Sequence, residues 1–440
     1  MKTNFISRAA LLALLAAPVF AGAQNSDKEF YGRPTNWRPY DQRGINVFET
    51  PKADSLAFEG PRVRLGAGFT QSFQNLTHKN DYTQAPTDAN RLHPLTAGFN
   101  TASANLNLDI QLADGIRLNV VTYLSSRHHN EAWVKGGYIQ FDKLPFKGQL
   151  WNKLMENTTI KIGHGEINYG DAHFRRSDGG QTLYNPFVEN LILDGYATEI
   201  GGEIYHTRMG FFGMIGVSNG MIKGNVDSLV KTTQDENIHK SPAIYAKGGF
   251  DQKLGNLRVR GALSYYHNGS SGTNTLYGGD RTGSNYLMVM EKAGGSYTAN
   301  AFSGRLDPKF SKTVDAVMLN AFIKYKGAEF FATWEQAEGR TKTEDSRRKV
   351  NQIAGEFIYR FCTAERLFVG ARYNKVDAEL AGFAEKVTVD RTALAAGWFL
   401  TKNVLLKGEY VWQNYKDFPT GDYRKGGQFS GYVIQAVVGF

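Results

Sequence analysis

Cysteine is almost absent from this chain, because Cys362 is the only one among its 440 residues. One cysteine excludes an intramolecular disulfide and any zinc site that is built from cysteine pairs. Proline is scarce too, at 12 residues, and no long apolar run follows residue 23. A helical membrane protein, whose helices each need roughly 20 apolar residues, is therefore excluded. The mean hydropathy of −0.40 agrees with that exclusion.

Helical periodicity is also rare after residue 60, which argues against an ordinary soluble enzyme of this length. What recurs instead is a period of two, in segments of about 10 to 14 residues that are separated by turn residues. The chain is rich in Gly, Tyr and Phe, with 48, 22 and 28 residues. A soluble sheet with this pattern would need a second layer over its apolar face, and no helices are predicted to supply one. The pattern predicts an all-β fold, a transmembrane antiparallel β-barrel.

The N-terminal 23 residues have the features of a secretory signal peptide. Lys2 and Arg8 flank the start of the apolar run 9–23, which ends in small residues. This pattern predicts cleavage after Ala23 and export of the remaining chain. Loss of these two positive charges lowers the formal net charge from +9 to +7. In an exported protein this charge does not indicate a nucleic-acid partner.

Individual segments split into an apolar and a polar face. In 428–440, Tyr432 and Phe440 share the apolar face while Gln435 lies on the other, and 403–415 divides in the same way. Successive side chains on a strand point to opposite faces, so one face suits lipid and the other an aqueous lumen. The terminal aromatic residue resembles the sorting signal that the outer-membrane barrel assembly machinery recognises.

The turn residues divide the chain into about 16 strands. Short turns are expected at the periplasmic rim and long polar loops outside, and an even strand count places both termini in the periplasm. Residues 143–157 are long for a periplasmic turn and are a candidate for a short helix. Residues 286–290 are a candidate extra strand, which would change the count. The predicted strands start near residues 62, 97, 115, 131, 158, 195, 209, 241, 256, 313, 328, 349, 366, 387, 403 and 428.

The region before the first strand does not alternate. Residues 24–61 mix aromatic, Arg and Pro residues, and are too apolar for a disordered tail and too irregular to cross a membrane. They are predicted to form an N-terminal periplasmic extension that packs under, or partly into, the barrel mouth, with a plain linker as the alternative. The domain organisation is then a signal peptide at 1–23, this extension, and a transmembrane β-barrel at 62–440.

Four segments carry a resemblance to a known family: NWRPYDQRGINVFET (36–50), NYGDAHFRRSDGGQ (168–181), NPFVEN (185–190) and the terminal strand. Together they resemble the porin-like outer-membrane β-barrel proteins of the Bacteroidota. The resemblance implies a barrel fold, a place in the outer membrane of a Gram-negative cell, and passive transport of small solutes. A more distant likeness to phosphate-selective and general porins rests on architecture alone.

The interior of a barrel with about 16 strands is too wide for side chains to fill, so an aqueous channel is expected unless something plugs it. Residues 167–194 form the third external loop, and in porins of similar size that loop folds into the lumen. The sequence therefore predicts a pore constriction here, with an outward surface loop as the alternative. The predicted constriction residues are Asp171, His173, Arg175, Arg176, Asp178 and Glu189.

The lumen wall is predicted, from the alternation, to carry more cations than anions. Rings of Arg or Lys lower the barrier for anions, so a weak anion preference is expected. Some of these cations lie near turns, where contact with lipid headgroups or the rim is the alternative. The predicted wall residues are Arg64, Arg117, Arg260, Glu356, Arg372, Lys407 and Glu409.

Catalysis and metal binding find little support in the sequence. His128 and His129 lie beside serines, but no GxSxG motif is present. Four residues suit a divalent metal by type, yet their spacing matches no HExxH pattern, and lumen-lining polar groups are the favoured interpretation. The sequence therefore predicts no catalytic residue, no metal and no cofactor. The four residues are His164, Glu166, Asp171 and His173.

The main alternative to a porin is a barrel that is plugged by 24–61 or 167–194 and serves as a structural or assembly subunit. The partners expected of a porin are small hydrophilic solutes or anions, outer-membrane lipid and lipopolysaccharide, and the barrel assembly machinery. A homotrimer is a further hypothesis, which rests on the outward-facing Gly201, Gly213 and Gly261.

Overall fold

A computed structural model describes residues 37–50, 52, 58–82, 88–124, 132–178, 181–221, 229–236, 239–278 and 287–440. The predicted signal peptide at 1–23, residues 24–36, and the pair His128 and His129 lie outside the described residues.

The described chain forms one antiparallel sheet of 17 strands. Strand follows strand around the sheet in sequence order, so neighbours are joined by hairpin connections. The strands are β1 (Arg62–Lys79), β2 (Gly98–Phe99), β3 (Ser103–Ala113), β4 (Ile116–Leu124), β5 (Trp133–Phe141), β6 (Thr158–Glu166), β7 (Thr198–Arg208), β8 (Phe211–Ser218), β9 (Ala243–Leu254), β10 (Leu257–Asn268), β11 (Thr313–Tyr325), β12 (Ala328–Arg340), β13 (Arg348–Phe361), β14 (Leu367–Ala378), β15 (Val387–Thr401), β16 (Val404–Lys416) and β17 (Gln428–Gly439).

The sheet closes on itself through β1, which pairs with β17 along one edge and with β3 along the other. The two-residue β2 pairs with Phe73 and Gln74 of β1, just beyond the stretch of β1 that β3 covers. Strands β2 and β3 therefore occupy one position, and the closed barrel has sixteen. The predicted barrel and its strand number are confirmed. Residues 287–290 form no strand, so the count needs no change.

The alternation predicted for the strands is present in the structure. On β17, Ile434 is 50% exposed while Gln435 is fully buried, and on β1 the apolar Leu65 is exposed. Along the described strands, the outward side chains are mostly Leu, Ile, Val, Phe, Tyr and Trp, whereas the buried inward ones include many Arg, Lys, Glu, Asn and Gln. An apolar outer surface and a polar interior are the arrangement expected of a barrel that is surrounded by lipid and encloses a polar lumen.

Most connections at one end of the barrel are short, such as Met209 and Gly210 between β7 and β8. Both residues have positive φ, at 52° and 79°, which the tightest hairpin turns require. The exception is the connection from β5 to β6, which contains the helix Gln149–Met155. This confirms the helix suggested by the length of 143–157. No helix in the described part of the chain is long and apolar enough to span a membrane.

Several of the described segments between strands enter the lumen and contact inward side chains of the wall. Residues 167–194 do so as predicted, with Phe187 fully buried against Arg372 of β14. Residues 37–50 of the N-terminal extension insert as well, and include a 3₁₀ turn at Gln42–Gly44. Residues 287–312 belong to the long connection between β10 and β11, which was expected outside the barrel, but the carbonyl oxygen of Ser303 accepts a hydrogen bond from Arg391 on β15.

Candidate functional site

The inward loop, residues 167–194, makes a close approach to the wall at Gly170. Gly170 has φ of 70°, and a Cβ atom added there would lie 2.2 Å from the sulfur of Met318 on β11. Only glycine combines this left-handed backbone with the space that is available. Its amide also donates to the hydroxyl of Ser264 on β10 at 3.0 Å. Loop and wall are therefore in direct contact from this point onward.

Asp171 lies next to this contact and is fully buried between two wall cations. Arg260 donates to both of its oxygens, at 2.8 and 2.7 Å, and Lys247 of β9 lies 2.7 Å away. Burial alone would raise the pKa of Asp171, but the charges and hydrogen bonds of Lys247 and Arg260 outweigh it and lower the pKa. Asp171 is therefore an ionised anchor for the loop.

The next three predicted constriction residues contact different parts of the protein. Arg175 points into the packed wall, where its Nη2 atom lies 3.2 Å from Oε2 of Glu356 on β13. Arg176 pairs with Asp194 at 2.6 Å and stacks on the ring of Tyr196 at 3.7 Å. His173 contacts the carboxylate of Glu166 and Oδ1 of Asn168, the latter at 2.9 Å. The two ends of the loop are thus joined to each other as well as to the wall.

Lys407 of β16 holds the far half of the loop. Its ammonium group donates at 2.7 Å to each of three carbonyl oxygens, those of Thr182, Asn185 and Phe187. An ammonium group has three N–H donors, so the three bonds use its full capacity. Glu409, two residues further along β16, accepts from the amide of Val188 at 2.9 Å. These wall charges bind the loop backbone.

Glu189 is buried just beyond this anchor. Arg372 donates to its carbonyl oxygen at 2.6 Å and to a carboxylate oxygen of Glu356 at 2.9 Å. Burial, with the nearby carboxylate of Glu409, raises the pKa of the Glu189 side chain to about 7, although Arg391 and Arg372 oppose the rise. Glu189 therefore lies in the packed part of the lumen.

The N-terminal segment 37–50 packs against the same loop. Arg38 donates to the carbonyl oxygen of Phe174 at 2.7 Å. Phe48 packs edge-on against Phe174, with ring centroids 5.6 Å apart. Glu49 lies 2.7 Å from Arg260 and 3.0 Å from Lys247, the two cations that also hold Asp171. The segment and the loop therefore share one buried ion cluster.

A cavity of about 310 Å³ lies between these inserted segments and the wall formed by β1 and β3 to β7. Its lining contains seven Arg or Lys residues and four Asp or Glu residues. The cations are Arg38, Lys52, Arg64, Arg117, Lys135, Lys161 and Arg176, and the anions are Glu49, Asp109, Glu166 and Asp178.

The predicted site residues divide between this cavity and the packed lumen. The cavity is lined by His173, Arg176 and Asp178 of the loop and by Arg64 and Arg117 of the wall. The remaining ones contact inserted backbone or oppositely charged side chains, and all are buried. They are Asp171, Arg175, Glu189, Arg260, Glu356, Arg372, Lys407 and Glu409.

Sequence reasoning missed several cavity residues, among them Lys135, Lys161 and Tyr138 on β5 and β6. The alternation in 131–141 and 158–166 could have found them, because it places Lys161 opposite the outward Ile162. Of the four candidate metal ligands, Glu166 and His173 contact each other, but Asp171 is held by Arg260. Among the described residues, no group of three or more His, Cys, Asp or Glu could hold a metal ion.

The fold and the polar, loop-narrowed lumen define a porin-like β-barrel of the outer-membrane type. No protein-family model matches the sequence, and no curated protein does. Solved structures do match the fold. An anion-selective porin from Comamonas acidovorans superposes with a TM-score of 0.52 at 12% identity, over 86% of this chain and 100% of that one. OmpT, an outer membrane protein of Vibrio cholerae, gives 0.50 at 12% identity, over 88% and 100%.

Proposed function

We propose that this protein is an outer-membrane channel for the passive diffusion of small hydrophilic solutes, with a weak preference for anions. The observation that carries this proposal is the cavity left open beside an otherwise packed lumen. Its lining has seven cations against four anions. An excess of fixed positive charge lowers the free energy of an anion on its way through and raises that of a cation.

The charge excess lies on one side of the lumen. Elsewhere on the wall, Arg260 is paired with Asp171 and Arg372 with Glu356, and Lys407 is hydrogen-bonded to loop carbonyl oxygens. The anion preference is therefore assigned to the cations that line the cavity and not to the wall cations as a whole. The solved porin from Comamonas acidovorans is described as anion-selective, which supports the proposed anion preference.

A plugged barrel is the second candidate, and the inserted segments favour it. Residues 37–50 and 167–194 share the cluster of Asp171, Glu49 and Arg260, which is buried and fixed. Such a barrel would serve as a structural or assembly subunit. Lipopolysaccharide contact, the barrel assembly machinery, the homotrimer and the kinship with Bacteroidota porins all stay predictions.

Planar-bilayer recording of the purified protein separates the two candidates. The channel hypothesis predicts discrete current steps and, under a salt gradient, a reversal potential on the anion side. A folded barrel that inserts but conducts nothing would reject the channel and favour the plugged subunit. A cation-side reversal potential would reject the anion preference alone.

A further inference from the structure

Six of the seven cations that line the cavity already have polar partners. Arg64 and Lys135 form ion pairs with Asp109 and Asp178. Arg38 and Lys52 bond backbone carbonyl oxygens. The other two pairs are Arg117 with Asp142 and Arg176 with Asp194.

Lys161 differs from these six. Within the part of the chain that the structure describes, its ammonium group has no hydrogen-bond acceptor and no ion-pair partner. It lies 5.2 Å from the ring centroid of Tyr138 and 4.7 Å from that of Tyr205. Two ring faces favour a cation in this position but leave its N–H donors unused.

The carboxylate in register with Lys161 forms no salt bridge with it. Glu203 is its register partner on β7, but both oxygens of Glu203 are already bonded. Tyr205 donates to one at 2.6 Å and Tyr245 to the other at 3.1 Å. Among the described residues, the Lys161 ammonium group therefore has no salt-bridge partner, and its N–H donors are left for a solute in the cavity.

Tyr138 adds a second donor beside this charge. Tyr138 lines the same cavity, and no described residue accepts a hydrogen bond from its hydroxyl group. Tyr138 pairs in register with Gly163, and a Cβ atom at Gly163 would lie 2.6 Å from Cα of Tyr138. The absence of a side chain at Gly163 thus lets the two strands approach closely beside Tyr138.

We propose that Lys161 and Tyr138 form a binding site for the carboxylate group of a small organic anion. This inference rests on the proposed channel function and names the class of solute. An ammonium group and one phenolic hydroxyl supply donors for the two oxygens of a carboxylate, and the rings of Tyr138 and Tyr205 provide apolar surface for its organic part. Phosphate has more acceptor oxygens and higher charge than these two donors satisfy. A cavity of about 310 Å³ accepts a solute of modest size.

Calorimetric titration of the detergent-solubilised full-length protein tests the site without requiring an open pore. Benzoate is the carboxylate probe and inorganic phosphate the competing class. Benzoate is expected to bind more tightly than phosphate, and Lys161→Gln to weaken benzoate about tenfold, as expected for loss of a charged donor. Lys161→Arg should retain binding to within about threefold, and Tyr138→Phe should weaken it less than Lys161→Gln does. Lys349→Gln, which removes an exposed lysine paired with Glu338, is the matched control and should bind as the wild type does.

Equal benzoate affinity in the wild type and in folded Lys161→Gln would overturn the proposal, and so would phosphate binding as tightly as benzoate. Bilayer recording separates this failure from failure of the channel. A conducting, anion-selective barrel that gives no benzoate heat keeps the channel and rejects the site. A silent barrel that binds benzoate through Lys161 rejects the channel and keeps the site.

Discussion

Arg260 on β10 donates two hydrogen bonds to the carboxylate of Asp171 in the inward loop, with Nε–Oδ2 and Nη2–Oδ1 distances of 2.8 and 2.7 Å. Both side chains are almost completely buried. Removal of one partner from a buried pair leaves an uncompensated charge and costs about 3–5 kcal/mol. Because Glu49 also contacts Arg260, the cost of losing Asp171 is expected at the lower end of that range.

Asp171→Asn is therefore predicted to lower the free energy of unfolding by about 3 kcal/mol. Equilibrium urea unfolding followed by tryptophan fluorescence measures the change. Asp307→Asn is the control, because its partner Lys309 is 70% exposed and such a pair contributes less than about 1 kcal/mol. Equal losses in the two variants would contradict the role of Asp171 as an anchor.

Lys407→Met should release the far half of the loop, because the methionine donates none of the three hydrogen bonds to residues 182–187. Faster amide hydrogen exchange is expected in residues 182–189, together with a noisier and larger single-channel conductance. Lys425→Met, which removes a lysine bonded to Thr420 at the surface, serves as the control. Unchanged exchange in Lys407→Met would show that other contacts hold the loop.

The raised pKa of Glu189 leads us to expect an unusual dependence of stability on pH. Its pKa is raised to about 7 in the folded protein, from an ordinary value of 4.5. The folded state therefore favours the protonated form of Glu189. The stabilisation of the folded state by this preference is fully present below pH 4.5 and is lost as the pH rises through about 7. A shift of this size corresponds to about 3 kcal/mol.

Glu189→Gln imitates the protonated carboxyl group at every pH. Urea unfolding at pH 5 and pH 8 should show that the wild type loses stability over this interval and that the variant loses about 2.5 kcal/mol less. The charged groups around Glu189 are Arg305, Arg372, Arg391 and Glu409, and they are the same in both proteins. Parallel pH dependence of the two proteins would contradict a raised pKa at Glu189.

Removal of residues 24–50 from the mature chain tests the role of the inserted N-terminal segment. Phe48 and Glu49 then no longer occupy the lumen beside Phe174 and Arg260, so a larger conductance is expected. Circular dichroism in the β-sheet region confirms folding before the recording. Identical conductance with and without the segment would place the permeation path away from it.

The strands could be predicted because alternation of apolar and polar side chains is a local property. The predicted starts at 62, 158, 313, 328, 387 and 428 coincide with Arg62, Thr158, Thr313, Ala328, Val387 and Gln428 of the structure. The other starts lie within three residues. The helix at Gln149–Met155 was also foreseen, from the length of its connection.

The contents of the lumen were harder to predict, because alternation tells which side chains point inward but not what they meet there. Lys407 was correctly placed inward, yet its three carbonyl partners come from a loop more than 200 residues earlier in the chain. Likewise, the insertion of residues 287–312 depends on contacts such as Ser303 with Arg391. Such contacts follow from the closed barrel and have no local sequence pattern.

Thiol modification of Asn119→Cys tests most directly whether solutes pass between the β3 to β7 wall and the inward loop. Asn119 lines the cavity, and the exposed Cys362 is first replaced by serine. Ala393→Cys, at a position 1% exposed in the packed lumen, is the control. The account predicts that a bulky thiol reagent blocks the current of Asn119→Cys and leaves that of Ala393→Cys unchanged. Full current through an Asn119→Cys barrel that mass spectrometry shows to be labelled would contradict it.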